Sequence, residues 1–124
     1  GLFLYKNELQ TWYERNDICL YQAIDCPVDG WCYFVGYVPT VTKEIAPSAE
    51  NAVAFVCGPP VMIKFTLPVL YELGFPSERI YTSMEKRMKC GIGKCGRCNI
   101  GPKYICKDGP IFTFAQLQEL PPDL

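Results

Sequence analysis

The chain has 124 residues, 49% hydrophobic and 20% charged, with a net charge of −1. That is enough apolar material for a buried core without disulfides, and too balanced a charge for a polyanion-binding surface, so no nucleic-acid partner is expected. The longest strong apolar run, Ala52 to Cys57, falls far short of the roughly 20 residues of a membrane span, and no secretory signal is expected because Lys6 and Glu8 follow a very short apolar start.

Residues 3–15 place Leu4, Leu9, Trp12 and Tyr13 at spacings that predict an amphipathic helix. Residues 18–24 are rich in β-formers and predict a strand. The Asp25–Gly30 stretch is turn chemistry, and residues 31–38 are compatible with strand or extended loop. A short helix is expected around Val41 to Ile45, broken by Pro47 and Ser48. Residues 52–57 read as a strand buried on both faces. Gly58-Pro59-Pro60 follows at once, and residues 61–73 predict a helix. Pro60 sits near its first position, where a missing N–H is harmless, and Gly74 fits its end. Pro68 is expected to kink the helix or end its first half. Residues 79–83 predict another short strand. Strand, turn, helix and strand at this spacing form a βαβ unit, so the fold class is α/β with a parallel sheet. About three strands are legible, fewer than a doubly wound domain has, so further strands are expected before residue 1.

From Cys90 the chain becomes rich in glycine, cysteine and basic residues. Thr113 and Gln116 are spaced as a capping box for a last short helix, which Pro121-Pro122 ends.

Eight cysteines and no histidine exclude Ser-His-Asp and Cys-His catalysis, zinc fingers with two histidine ligands and the Rieske centre. All-cysteine chemistry remains. Cys90, Cys95 and Cys98 form C-x4-C-x2-C, and Cys106 follows. This is the plant-type [2Fe–2S] spacing. Gly91, Gly93 and Gly96 let the loop turn its amides toward the sulfurs. A four-cysteine zinc site, acting as a structural or docking module without redox activity, is the main alternative. It normally pairs two short knuckles, and only Cys95–Cys98 is one. A disulfide framework is the other alternative. Cys19 is expected in the core. Cys26 and Cys32 flank a turn and would pair only in oxidising conditions. Cys57 ends a strand where α/β sheets bind ligands, although a small buried hydrophobe is an equal reading.

Residues 84–108 carry seven cations and two acids, net +5, leaving −6 for the rest of the chain. A basic surround suits an anionic cluster; a solvated basic loop is the plain alternative, and a docking face for an acidic redox partner is a third reading.

Val56-Cys57-Gly58-Pro59-Pro60-Val61-Met62, the cysteine loop 90–98 and Cys106-Lys-Asp-Gly-Pro-Ile-Phe112 occur in that order. Together they resemble the C-terminal half of a ferredoxin-NADP-reductase-like subunit with a small C-terminal [2Fe–2S] domain. The gamma subunits of cytoplasmic nickel–iron hydrogenases and the B subunit of anaerobic sulfite reductase are similar, with the electron-transfer subunit of dihydroorotate dehydrogenase a more distant cousin. The resemblance implies a partial parallel-sheet nucleotide-binding domain over residues 1–85 and an irregular Cys-rich cluster domain over 86–124. It implies NAD(P) contacts at Cys57, Gly58, Pro59, Pro60 and Met62, and cluster ligands at Cys90, Cys95, Cys98 and Cys106. It also implies a cytoplasmic electron-transfer subunit that serves other redox subunits of hydrogenase, sulfite-reductase or dihydroorotate-dehydrogenase type.

The departures are as informative. Such subunits begin with a flavin-binding barrel and a Gly-rich nucleotide loop, and neither is present here. FAD is therefore expected only in a longer subunit, and this chain alone is not expected to turn over NAD(P)H. Arg79-Ile80-Tyr81-Thr82 matches a flavin motif of these reductases, but it lies after the helix and reads as chance. Pro68, Cys26 and Cys32 also depart from the pattern.

Overall fold

The strand–turn–helix–strand pattern of residues 54–83 folds as the sequence suggests. In the computed structural model, which describes residues 4–121, strand β3 (Ala54–Val56) lies parallel to β4 (Ile80–Ser83), with Ala54 opposite Ile80 and Val56 opposite Thr82. The predicted helix start at Phe3 and the final proline, Pro122, lie outside the described residues. Helix α3 (Pro60–Glu72) connects β3 and β4 and buries Ile63, Thr66, Leu67 and Leu70. Those positions are one face at helical spacing. Pro60 occupies the first turn, as expected.

Pro68 does not break the helix. Its ring removes a bond to the Lys64 carbonyl, but Lys64 and Pro68 are both exposed, where water replaces the lost partner. The helix ends at Gly74, whose φ of 97° admits the left-handed turn. The Phe75 amide then reaches Leu70 O at 3.1 Å and the Gly74 amide reaches Tyr71 O at 3.0 Å. This is the Schellman pattern of a glycine-stopped helix.

Residues 52–57 are not buried on both faces. Val56 is buried, but Phe55 is 80% exposed and stacks on Tyr81 at a centroid distance of 5.5 Å. The described β3 has one neighbour, β4, so one edge and part of one face lack cover.

In the cysteine-rich segment β5 (Asn99–Ile100) and β6 (Lys103–Tyr104) form a small antiparallel pair, and the sheet of β3 and β4 gains its third strand from an unexpected place. Strand β7 (Ile111–Thr113), which follows the cysteine loop, pairs antiparallel with β4, with Thr82 opposite Phe112. Helix α5 (Phe114–Gln118) follows with the predicted capping box intact: Gln116 N donates to Thr113 Oγ1 at 3.1 Å, and Thr113 N donates to Gln116 Oε1 at 2.9 Å. One buried cluster joins Val56, Ile63, Leu67, Leu70 and Ile80 of the βαβ unit to Cys98, Ile100, Ile105 and Phe112 of the cysteine-rich segment. The cysteine loop is thus anchored in the same core as the parallel strands.

Helix α2 (Val38–Ile45) is longer than expected and buries Val41. It reaches α3 through an exposed Lys43–Glu72 pair at 3.9 Å, a separation and setting that contribute little.

The chain divides into two compact units between Tyr37 and Val38. In the first, α1 (Lys6–Tyr13) is shorter than predicted and buries none of its residues. Strand β1 is only Ala23–Ile24, parallel to β2 (Phe34–Val35), so most of the predicted strand 18–24 is irregular. The Phe34 amide donates to Gln22 O at 3.1 Å and the Gly36 amide to Ile24 O at 2.7 Å, so the ladder is short but bonded at both ends. Cys19 is exposed and outside any strand, against the expected core position. Cys26 and Cys32 are exposed free thiols. Trp31 Nε1 donates to Phe34 O at 2.9 Å, and its ring meets Tyr33 edge-on at 5.2 Å.

Thr82 sits at the centre of the three-stranded sheet, 1% exposed, and among the described residues its hydroxyl has no hydrogen-bond partner. A buried unpaired hydroxyl costs about 1–3 kcal/mol. Thr82→Val keeps the shape and removes the hydroxyl, so it is expected to stabilise the chain by ~1 kcal/mol. A higher urea midpoint with an unchanged slope is the expected result. A lower midpoint would mean that the hydroxyl has a partner in solution.

Candidate functional site

The cysteine loop turns its amides onto its sulfurs. Cys90 Sγ accepts from Lys94 N at 3.2 Å, Cys95 N at 3.4 Å and Ile92 N at 3.5 Å. Cys106 Sγ accepts from Gly93 N at 3.3 Å. The backbone can do this because Gly91 and Gly93 have φ of 72° and 71°, a region costly for residues with a Cβ. At Gly93 a Cβ would also press to 3.1 Å from Lys107 Cδ.

These amides act on the thiols. The N–H groups of Ile92, Cys95 and Lys94 hold the Cys90 thiol down at about 6, because each favours the thiolate. Cys106 is pushed up, first by its hydrogen bond to the Cys98 side chain and then by burial. The same interactions reveal two side-chain pairs, Cys90 with Cys95 and Cys98 with Cys106, while Cys90 and Cys106 also sense each other's charge. All four are free thiols. Cys98 is 1% exposed and its carbonyl accepts from Ile105 N at 3.1 Å, which ties the loop to helix α4 (Ile105–Asp108) and hence to Cys106.

The metal-free chain makes the acidity of Cys90 measurable. Only the thiolate is nucleophilic. Cys90, with its folded value depressed to about 6, is a thiolate at pH 7 and loses reactivity as pH falls through 6. Cys106 needs a pH above the ordinary thiol range. Iodoacetamide at pH 7, followed by peptide mapping, is expected to label Cys90 well ahead of Cys106. Equal labelling would contradict the arrangement.

The donor set fits an iron–sulfur cluster. Four cysteine thiols lie on one glycine-rich segment, and backbone N–H groups already point at two of the sulfurs. Among the described residues, no group of three or more His, Cys, Asp or Glu side chains is placed to hold a single metal ion.

The second predicted site lies at the end of β3. Cys57 is exposed there rather than buried as a small hydrophobe. Cys57 and Met62 line a cleft of about 530 Å³ between α2, β3 and α3, together with Thr42, Ser48, Phe55 and Thr66. Gly58, Pro59 and Pro60 do not line it. They form the turn that starts α3, with the Ile63 amide bound to Pro59 O at 3.1 Å. Gly58 lies against the end of the Met62 side chain, whose sulfur stands 2.7 Å from where a Cβ would be, so a larger residue there would shift Met62 within the cleft wall. Sequence reasoning missed the α2 wall of this cleft, whose only signal was the short apolar periodicity of Val38 and Val41. It also missed Asp108, whose carboxylate accepts from the Tyr104 amide at 2.7 Å and braces the turn carrying Cys106.

A parallel βαβ core with a cleft at its strand end, sharing one buried cluster with an amide-lined cysteine loop, places the chain in the α/β class. The chain belongs to the oxidoreductase NAD-binding domain family, which matches residues 2–67. Residues 85–118 match the iron–sulfur cluster binding domain of dihydroorotate dehydrogenase B. The sulfhydrogenase 2 subunit gamma of Pyrococcus furiosus is 52% identical over 69 residues, covering 52% of this chain and 24% of that protein. A probable dihydroorotate dehydrogenase B electron transfer subunit of Methanocaldococcus jannaschii is 36% identical over 89 residues, covering 70% of this chain and 34% of its own. A solved structure described as an NADH-dependent reduced ferredoxin-NADP oxidoreductase, studied for flavin-based electron bifurcation, matches with a TM-score of 0.55 at 28% identity, over 75% of this chain and 33% of its own. The chain therefore spans between a quarter and a third of the length of these relatives. No described helix is long and apolar enough to cross a membrane.

Proposed function

We propose that these residues are the electron-transfer portion of a cytoplasmic NAD(P)H oxidoreductase complex. Cys90, Cys95, Cys98 and Cys106 hold a [2Fe–2S] cluster, and the partner is a redox subunit of the hydrogenase, sulfite-reductase or dihydroorotate-dehydrogenase kind. The observation that carries this reading is the set of four amide–sulfur bonds around Cys90 and Cys106. Amides on thiolate sulfur stabilise negative charge there, which favours electron acceptance.

In this reading residues 1–85 belong to the nucleotide-binding part and 86–124 to the cluster part, with β7 of the second paired to β4 of the first. Cys57 and Met62 present the wall of the nicotinamide site, and Gly58, Pro59 and Pro60 shape the turn behind it. A flavin, held by the longer subunit, supplies the exchange between a two-electron hydride and single electrons. The residues of this chain position the nicotinamide wall and insulate the cluster loop on the core formed by Ile100, Ile105 and Phe112.

Iron and zinc analysis with a visible spectrum tests the reading. A brown chain with two irons, bleached by dithionite, is expected of a [2Fe–2S] site. A colourless chain with one zinc and no iron would overturn it in favour of a four-cysteine structural module.

A further inference from the structure

Each of the four cysteines of the loop has a cation as a chain neighbour: Lys89 before Cys90, Lys94 before Cys95, Arg97 before Cys98 and Lys107 after Cys106. Neighbouring Cα atoms are about 3.8 Å apart, so each of the four cysteines has a cationic residue directly beside it in the chain. All four cations are exposed. The stem of Lys107 lies across the loop at Gly93, its Cδ 3.1 Å from where a Cβ would stand. Within the loop, Cys95 and Ile92 are exposed, the latter by 61%, and Met88 just before it is 53% exposed.

A solvated surface usually mixes and pairs its charges. Here the segment 84–108 is net +5 against −6 elsewhere. Among the described residues the ion pairs are Arg15–Asp17 and Lys43–Glu72, and neither involves a rim cation. Asp108, beside Lys107, spends a carboxylate oxygen on the Tyr104 amide. Exposed apolar side chains beside predominantly positive charge are the anatomy of an encounter surface, where the charges steer approach and the apolar contact closes over it.

We infer that the rim of Lys89, Lys94, Arg97 and Lys107 around Ile92 and Cys95 is a docking surface for a protein with an acidic face. The inference deepens the proposed function and rests on it only for what docking serves, because the cations stand where they do with or without a cluster.

The test uses the full chain as purified and two probes of opposite charge, an acidic plant-type ferredoxin and a basic cytochrome c, with binding followed by calorimetry. The acidic probe is expected to bind, and to weaken roughly tenfold or more as salt rises and the Debye length shrinks from about 30 Å to below 10 Å. Lys89→Glu, Lys94→Glu, Arg97→Glu and Lys107→Glu together are expected to weaken it by about ten- to a hundredfold. Lys64→Glu, on α3, is expected to leave binding unchanged. If the fourfold variant loses its fold, the pair Lys94→Gln and Arg97→Gln decides, with a smaller loss expected. Equal binding of wild type and a folded variant, or equal affinity for both probes, overturns the proposal. So does concentration-dependent self-association that the variants abolish, which would make a second copy the occupant. A colourless wild type that still binds the acidic probe sinks the cluster reading and leaves the docking surface standing. A coloured one that binds neither probe does the reverse.

Discussion

Cys95→Ala is expected to abolish cluster assembly while leaving the fold intact. Cys95 is exposed, so its side chain adds little to the core. Its contribution is a thiolate, paired with Cys90 in the loop. Alanine cannot ligate iron, and three thiolates leave one iron short of a ligand. At least about a tenfold loss of bound iron and visible absorption is expected, since even changes outside the ligand sphere cost ten- to a hundredfold in metal affinity. Far-ultraviolet circular dichroism should stay close to wild type. Full iron content in this variant would contradict the ligand assignment. Iron loss together with unfolding would show that the metal, and not the shared core, holds the segment.

Phe112→Ala is expected to destabilise the whole second unit rather than the cysteine segment alone. Phe112 is 3% exposed on β7, opposite Thr82 on β4, and its ring packs against Gly109. Emptying such a site costs about 3–5 kcal/mol, a large part of the 5–15 kcal/mol that holds a typical domain together. Because Phe112 shares one core with Ile80 and Leu67 as well as with Cys98 and Ile105, sheet and cysteine loop should melt in one transition at a lower urea midpoint. Ile111→Ala, at a position 52% exposed on the same strand, is expected to change stability by less than about 0.5 kcal/mol. Two separate transitions in Phe112→Ala would mean that the segments fold independently.

Local chemistry was legible in the sequence. Pro60 and Gly74 bracket α3 because one lacks an N–H where none is needed and the other tolerates a left-handed turn. The Thr113–Gln116 capping box formed with both bonds, since its two partners are three residues apart and meet in any first helical turn. The misreadings share another cause. Pro68 is expected from sequence to kink α3 or end its first half, yet α3 runs on through it, because its exposed side lets water replace the lost bond. Residues 52–57 were read as doubly buried, but apolarity cannot tell a central strand from one with a free edge, and Phe55 lies exposed. Cys19 was placed in a core strand, yet the pairing available to residues 18–24 stops at Ala23–Ile24.

The candidate sites divide in the same way. Spacing alone nominates Cys90, Cys95, Cys98 and Cys106 as cluster ligands, because a cluster needs four thiolates on a short glycine-rich loop whatever surrounds it. The motif at Cys57 was equally plain, but which of its residues face a cavity was not. That depends on α2, which comes from a separate stretch of chain and supplies a wall through Thr42.

The sequence by itself therefore determined the redox class, the cysteine set, the parallel unit and the segregation of charge, all of which rest on residues near one another in the chain. Only the tertiary structure decided that β7 returns to the sheet, that the loop shares the core of the parallel strands, and that the Ile92, Cys95 and Lys94 amides converge on one sulfur. Those features depend on how distant segments pack and on where the backbone N–H groups point, and neither is written in residue spacing.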